Sequence, residues 1–298
     1  MTRVLVTGGS GAVGRFIVDE LLEHGYEVTI TGRNEPAPSG FRAPVRFVPL
    51  PLDPKAPFAD ALNGCDMLVH AAFSHVEGRY RGGEGDDVTG FWRSNFLATL
   101  LLINAAAKAG MKRAVFLSSR AAYGKPAPGA TLVETMSAHP DTHYGAVKLA
   151  CERHLESLNR GSGLVVTSLR VTGVFGSAIP GGDHKWRKLF ADYLDGQPVA
   201  SRCGTEVHGR DVAGAVRCVL EADESDVAGE VFNVSDLLVD HHELLAIVAE
   251  STGCNHPLPA KTDSASYNVM DTTKLRKLGW RPGGIDQLRS EVAALVTA

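Results

Sequence analysis

The run Val4-Leu5-Val6-Thr7-Gly8-Gly9-Ser10-Gly11-Ala12-Val13-Gly14 restricts the possible folds of this chain more than any other stretch. A short β-branched segment breaks into spaced glycines, and an amphipathic helical pattern then runs over residues 13–24 and stops at Gly25. Strand, glycine turn and helix in this order open a βαβ unit that cradles a dinucleotide. Gly8 permits the tight turn, Gly11 lets backbone N–H groups approach a pyrophosphate, and Gly14 lets helix and strand pack closely. Ala12 and Val13 complete the turn at the positive end of the helix dipole, which the pyrophosphate faces.

The rest of the first half keeps this rhythm. Strands are predicted over residues 3–7, 27–31, 45–50, 67–71, 113–119 and 164–171, with helices over 13–24, 86–109 and 142–158. Strands alternating with helices predict a parallel sheet. After Thr172 the pattern loosens: 173–182 reads as a loop, 183–194, 210–222 and 242–253 as helices, and 230–234 as one more strand. Short helical pieces over 271–278 and 285–296 close the chain. The expected fold is α/β, a Rossmann-like doubly wound parallel sheet with a smaller C-terminal substrate-binding lobe. Residues 1–172 form the dinucleotide-binding domain, to which 205–235 return, and 173–204 with 236–298 form the lobe.

Bulk properties exclude several functions. At 298 residues, 44% hydrophobic and 21% charged, the chain has the composition of a soluble globular protein. A net charge of -4 without a basic block gives no reason to expect nucleic acid or a membrane surface as partner. The five cysteines are scattered, which suggests neither a disulfide framework nor a zinc site. His139 and His143 flank Pro140 and read as loop residues, so no metal is expected. No apolar run approaches the ~18 residues of a membrane span, and a strand beginning at Arg3 leaves no room for a leader. A cytoplasmic enzyme is the expectation, and the oligomeric state stays open, a homodimer included.

Three further features carry chemistry. Tyr144 and Lys148 stand four residues apart on a predicted helix, hence on one face. A phenol of pKa ~10 is a poor base at neutral pH, and a neighbouring cation stabilises the phenolate and makes proton exchange with a hydroxyl or carbonyl practical. Ser119 ends the strand over 113–119, at the carboxyl edge where doubly wound sheets bind ligands, and can align a reacting oxygen with the tyrosine. Arg33 follows the second strand, where an acidic residue would favour NAD by bonding the adenosine ribose. A guanidinium there suits a 2′-phosphate, so NADP is favoured over NAD, with Arg15 also near the turn.

Taken together, these residues resemble the extended short-chain dehydrogenase/reductase family, in its sugar epimerase/dehydratase branch, over almost the whole chain. Residues 7–14 match its glycine motif, Ser119 to Gly124 its Ser-x-x-x-Tyr-Gly motif and Tyr144 to Lys148 its Tyr-x-x-x-Lys motif. His70-Ala71-Ala72 is similar to the strand end over the cofactor, Asn95 to the helix asparagine beside the active site, and Leu169 to Gly176, with Val171, to the segment passing the nicotinamide. Residues 207–213, 231–234 and 278–282 resemble later landmarks. Pro51-Leu52 replaces the family's acidic residue near the adenine.

The resemblance implies Tyr144 as acid/base, Lys148 as the group that lowers its pKa and holds the nicotinamide ribose, and Ser119 as the group that orients the substrate oxygen. It also implies a sugar, nucleotide-sugar or sugar-derived substrate, with epimerisation and simple dehydrogenation or reduction both open. Arg120-Ala121-Ala122 lacks the acidic pair of the 4,6-dehydratases, which argues against elimination of water. Gly204 stands where nucleotide-sugar epimerases carry a diphosphate-gripping arginine, with Arg202 and Arg210 nearby and Lys261 in place of a second one. The rival reading is a catalytically silent NAD(P)-binding redox-sensing regulator, against which the joint presence of Ser119, Tyr144 and Lys148 argues.

Overall fold

Strand β1 (Arg3–Thr7) alternates its side chains as a two-sided strand must: Val4 and Val6 enter one core and Leu5 the other. Helix α1 (Ala12–Glu23) packs on the first face and β2 (Glu27–Gly32) returns beside β1. Then follow β3 (Arg46–Pro49), α2 (Phe58–Leu62), β4 (Met67–His70), α3 (Val88–Trp92), α4 (Ala98–Lys108), β5 (Arg113–Ser119), α5 (His143–Leu158) and β6 (Val165–Val171). The computed structural model describes residues 1–298 except 38–39, 77–78, 80–81, 160, 162, 180 and 298. The later elements are β7 (Gly173–Phe175), α6 (Arg187–Leu194), β8 (Cys203–His208), α7 (Gly209–Glu221), α8 (Glu224–Val227), β9 (Val231–Val234), β10 (Leu237–Asp240), α9 (His241–Thr252), α10 (Thr273–Lys277) and α11 (Gly284–Thr297).

Among the described residues, seven strands form one parallel sheet in the order β3-β2-β1-β4-β5-β6-β9. The chain direction across the sheet reverses between β1 and β4, the crevice where open α/β sheets bind ligands. Helices α1 and α7 cover one face over Ile17, Leu21, Val212 and Val216. Helices α2, α4 and α5 cover the other over Leu62, Leu102, Ile103 and Val147. The Rossmann-like doubly wound fold is as expected. A separate core of Phe175, Trp186, Phe190, Tyr193, Leu244, Leu245 and Val292 lies in the C-terminal part.

Several local expectations are corrected. The predicted loop over 173–182, whose residue 180 lies outside the described residues, begins with β7. Strands β7, β8 and β10 form a second, three-stranded sheet, so 205–208 pair there and not with the main sheet. The helix expected from 183 starts at Arg187, with Trp186 at its N-cap in a non-helical conformation and Asp183 reaching the Arg187 guanidinium from ahead of the first turn. The stretch 86–109 is broken: Asp87 caps α3, and one π-helical turn, Arg93–Leu97, intervenes before α4.

Candidate active site

The glycine turn is as tight as its sequence demands. Gly8 has φ +71°, and a Cβ there would lie 2.8 Å from Ala72 Cα and N, so the turn reaches the end of β4 across the crevice. A Cβ on Gly14 would collide with Gly8 O, which is how α1 comes to lie against the turn. Gly11 caps α1 through its backbone alone, with no side-chain cap, and a Cβ there would meet only Gly8 O, at 3.2 Å. Ala12 is exposed, and Val13 is half-buried against the α1 core. First-turn N–H groups that no side chain among the described residues caps form a cradle suited to a pyrophosphate.

Beside it runs a buried relay. His70 Nδ1 meets Thr7 Oγ1 at 2.6 Å, His70 Nε2 meets Thr99 Oγ1 at 2.8 Å, and Thr99 Oγ1 donates to Asn95 O at 2.6 Å. The Thr99 proton is thus committed to Asn95, so Nε2 carries the imidazole proton and Nδ1 accepts from Thr7. Burial, with Lys148 as a lesser cause, pushes His70 down to about 3, which keeps it neutral. Asn95 sits in the π-helical turn and holds Ser74 at both ends, accepting from Ser74 N and donating to Ser74 O, each at 2.7 Å. The segment Ala71-Ala72 that passes the glycine turn is therefore fixed at both its ends.

The turn after Ser119 and the first turn of α5, which carries Tyr144, meet. Ser119 Oγ accepts from Ala121 N at 3.2 Å and so caps a short 3-10 turn, Arg120–Tyr123. Thr142 Oγ1 accepts from Gly145 N at 3.1 Å and starts α5. A Cβ on Gly145 would collide with Ala121 O, so this glycine lets the first turn of α5 rest on the Ser119 turn. Val171 is the register partner of Ser119 at the end of β6.

Lys148 is 3% exposed, donates to Leu117 O at 2.5 Å, and lies 4.4, 4.8 and 5.9 Å from the ring centres of Phe73, Phe116 and Tyr144. Phe73 also meets the Tyr144 ring edge-on at 5.0 Å. Burial pushes the Lys148 ammonium down to about 8, against weaker upward pulls from Cys151 and Glu152. The stability consequence has a definite sign. Below about pH 8 both folded and unfolded chains keep the proton, and above 10.5 both have lost it. In between, the unfolded chain holds more protons, so stability rises with pH at up to ~1.4 kcal/mol per unit. Urea unfolding of the cofactor-free protein should show wild type gaining on Lys148→Met across that window. A constant gap would mean the ammonium is not desolvated.

Two residues important to this arrangement escaped the sequence. Phe73 covers Lys148 and Tyr144, and its only signal was its position directly after Ala71-Ala72. Glu152, one turn beyond Lys148, accepts from Ser118 Oγ and holds Arg170 through bonds of 3.0 and 2.7 Å, which ties α5 to β5 and β6. Other predicted positions are less central. Leu52 leans on the α2 core, and Arg33 is exposed immediately after β2. The Arg15 guanidinium is committed to Ser10 O at 3.0 Å and Gly40 O at 2.8 Å.

The chain matches the NAD dependent epimerase/dehydratase family over residues 4–235 and belongs to that family. It is 27% identical to a UDP-glucose 4-epimerase of Corynebacterium glutamicum, over 95% of this chain and 92% of the relative. Among solved structures, a UDP-glucose 4-epimerase of Thermus thermophilus in complex with NAD is 28% identical, with a TM-score of 0.78 and coverage of 100% of this chain and 99% of the other. Another from Thermotoga maritima, with UDP-glucose, is 25% identical, with a TM-score of 0.81 and coverage of 99% and 98%. No helix among the described residues is long and apolar enough to cross a membrane.

Proposed function

We propose that this protein transfers a hydride to or from a hydroxyl or carbonyl carbon of a sugar, nucleotide-sugar or sugar-derived substrate, with Ser119, Tyr144 and Lys148 as its catalytic groups. The observation that carries this is the Lys148 ammonium, buried against the Tyr144 ring at the end of β5, beside the glycine cradle. The cofactor supplies a nicotinamide that accepts or returns the hydride. Gly8, Gly11, Ala12, Val13 and Gly14 would receive its pyrophosphate, with Ala71, Ala72 and Val171 alongside. Lys148 would bind the nicotinamide ribose and stabilise the Tyr144 phenolate, which takes a proton from the substrate hydroxyl or gives one to the carbonyl oxygen. Ser119 would donate to that same oxygen, because its Oγ already accepts from Ala121 and its own proton remains to be given. Asn95 acts at one remove, by fixing Ser74. Conversion of a panel of sugars, followed both by product formed and by nicotinamide absorbance, separates this reading from a silent redox sensor, which would bind the cofactor and convert nothing.

The finer cofactor choice is NADP over NAD. Arg33 stands exposed where the adenosine ribose should end, and no acidic side chain occupies that place. A charge-assisted hydrogen bond contributes ~1.5–3 kcal/mol, and screening at an exposed site brings this to about tenfold in affinity. Arg33→Ala should remove most of that preference and leave NAD binding nearly unchanged. Calorimetric titrations in which wild type binds NAD as tightly as NADP would exclude Arg33 as a phosphate reader.

Val88, Leu97 and Leu101 are exposed apolar side chains along α3, the π-helical turn and α4, with Val88 and Leu97 beside Trp92 and Phe96, and support pairing of two copies into a homodimer, which we place in the cytoplasm. A monomer in sedimentation equilibrium would exclude the pairing.

A further inference from the structure

At the carboxyl edge of the sheet, two residues beyond Val171, the backbone meets an ion pair. A Cβ on Gly173 would lie 2.5 Å from Glu206 Oε2 and 2.8 Å from Lys185 Nζ, so the pair fills the space that a side chain there would take. Glu206 comes from β8, in register with Gly173 and Leu237, and is buried; Lys185 precedes α6 and pairs with Glu206 Oε2. Because Val171 pairs with Ser119, Gly173 is about 7 Å further along the strand direction, at two residues of ~3.3 Å each. The pair thus lies at the carboxyl edge of the sheet, as does the proposed reacting centre. Burial is uneven: the Lys185 side chain keeps 32% exposure and Glu206 only 9%.

The charge around this pair bears on what it can bind. Gly204 carries no cation, and the position a Cβ would take there is 3.6 Å from Glu206 Oε1, so a carboxylate borders it. Arg202 and Arg210 are exposed. Lys261 pairs with Glu243 at 3.4 Å on the surface. A diphosphate is held by cations whose charge is neither neutralised by a partner nor screened by solvent, and a neighbouring carboxylate repels it. An ammonium that only donates beside a carboxylate that only accepts suits groups that do both, which hydroxyls are.

We propose that the Lys185–Glu206 pair is the specificity-determining element of the cleft, binding two neighbouring hydroxyls of a neutral carbohydrate or polyol, and that a nucleotide diphosphate is not what the site recognises. This rests on the hydride-transfer reading above and narrows its substrate class. Lys185 donates to one hydroxyl, the other donates to Glu206, and Glu206 holds the ammonium in place.

Trp186, buried with its ring 5.7 Å from Lys185 Nζ, makes tryptophan fluorescence a reporter. Cofactor-loaded protein is titrated with D-xylose, D-glucose, UDP-glucose and UDP. A neutral sugar should saturate, UDP alone should not, and UDP-glucose should bind no tighter than glucose. Glu206→Gln and Lys185→Met should each weaken the sugar about tenfold or more, the loss of one charged hydrogen bond, and leave cofactor affinity within about twofold. Lys185→Arg should keep most of the sugar affinity, and Gly204→Arg should bring UDP in. Should Glu206→Gln fail to fold, Lys185→Met, at the more exposed end of the pair, decides alone. Tighter binding of UDP or UDP-glucose than of either sugar overturns the proposal, as does absence of sugar saturation, or sugar binding that neither Glu206→Gln nor Lys185→Met weakens. Wild type that binds no cofactor would instead overturn the hydride-transfer reading.

Discussion

Tyr144→Phe should lower turnover by about 10²-fold or more, the usual contribution of a positioned acid/base, while cofactor affinity stays close to wild type. The substitution removes one oxygen and keeps the ring, so the edge contact with Phe73 at 5.0 Å and the packing over Lys148 persist. The loss should fall on kcat, because the phenolic proton moves only in the chemical step. Lys148→Met differs in kind: it should reduce both turnover and cofactor affinity, since the ammonium is assigned the ribose as well as the phenolate. A Tyr144→Phe enzyme with wild-type kcat would remove Tyr144 from the mechanism.

Gly11→Val should abolish dinucleotide binding in a protein that still folds. The glycines of the turn are not equivalent in this respect. A side chain on Gly14 would collide with Gly8 O, and one on Gly8 would be strained at φ +71° and crowd Ala72, so either change damages the turn itself. Gly11 has φ -75° as the cap of α1, and its Cβ would meet only Gly8 O, at 3.2 Å, a clash that shifts of a few tenths of an ångström relieve. The branched side chain would then stand over the first-turn N–H groups. Losing two charge-assisted hydrogen bonds to the pyrophosphate at ~1.5–3 kcal/mol each predicts a loss of roughly 10²- to 10⁴-fold. Calorimetry on the variant, with circular dichroism to show that it is folded, checks this. Wild-type affinity in a folded variant would place the pyrophosphate elsewhere.

The glycine turn, the Ser119 strand end and the Tyr144/Lys148 pair were legible because each depends on a few neighbouring residues whose spacing fixes their geometry. The second sheet was not legible. Its pairings join Gly173 to Glu206 and Leu237 to Glu206, residues more than thirty positions apart, and no local period announces them. The π-helical turn at Arg93–Leu97 was hidden for another reason. Its residues suit an α-helix equally well, and it is held by Asn95 bonding to Ser74 in a different segment. Phe73, Glu152 and Lys185 likewise gain their significance from partners brought in by the fold: the Lys148 ammonium, the Arg170 guanidinium and the Glu206 carboxylate. Arg15 likewise takes its structural part from a distant segment. Near the glycine turn in sequence, its guanidinium holds the backbone at Ser10 and, twenty-five residues on, at Gly40.

The claim that hydride passes between substrate carbon and nicotinamide is tested most directly by an isotope. A sugar that the enzyme turns over, labelled with deuterium at the reacting carbon, is incubated with the protein and oxidised cofactor, and the cofactor is examined by mass spectrometry and NMR. For wild type the expected result is deuterium at C4 of the nicotinamide or, where the hydride is returned, back at the reacting carbon of the product, and over the same time little or no conversion by Tyr144→Phe. Turnover of the sugar with the label lost to solvent would contradict it.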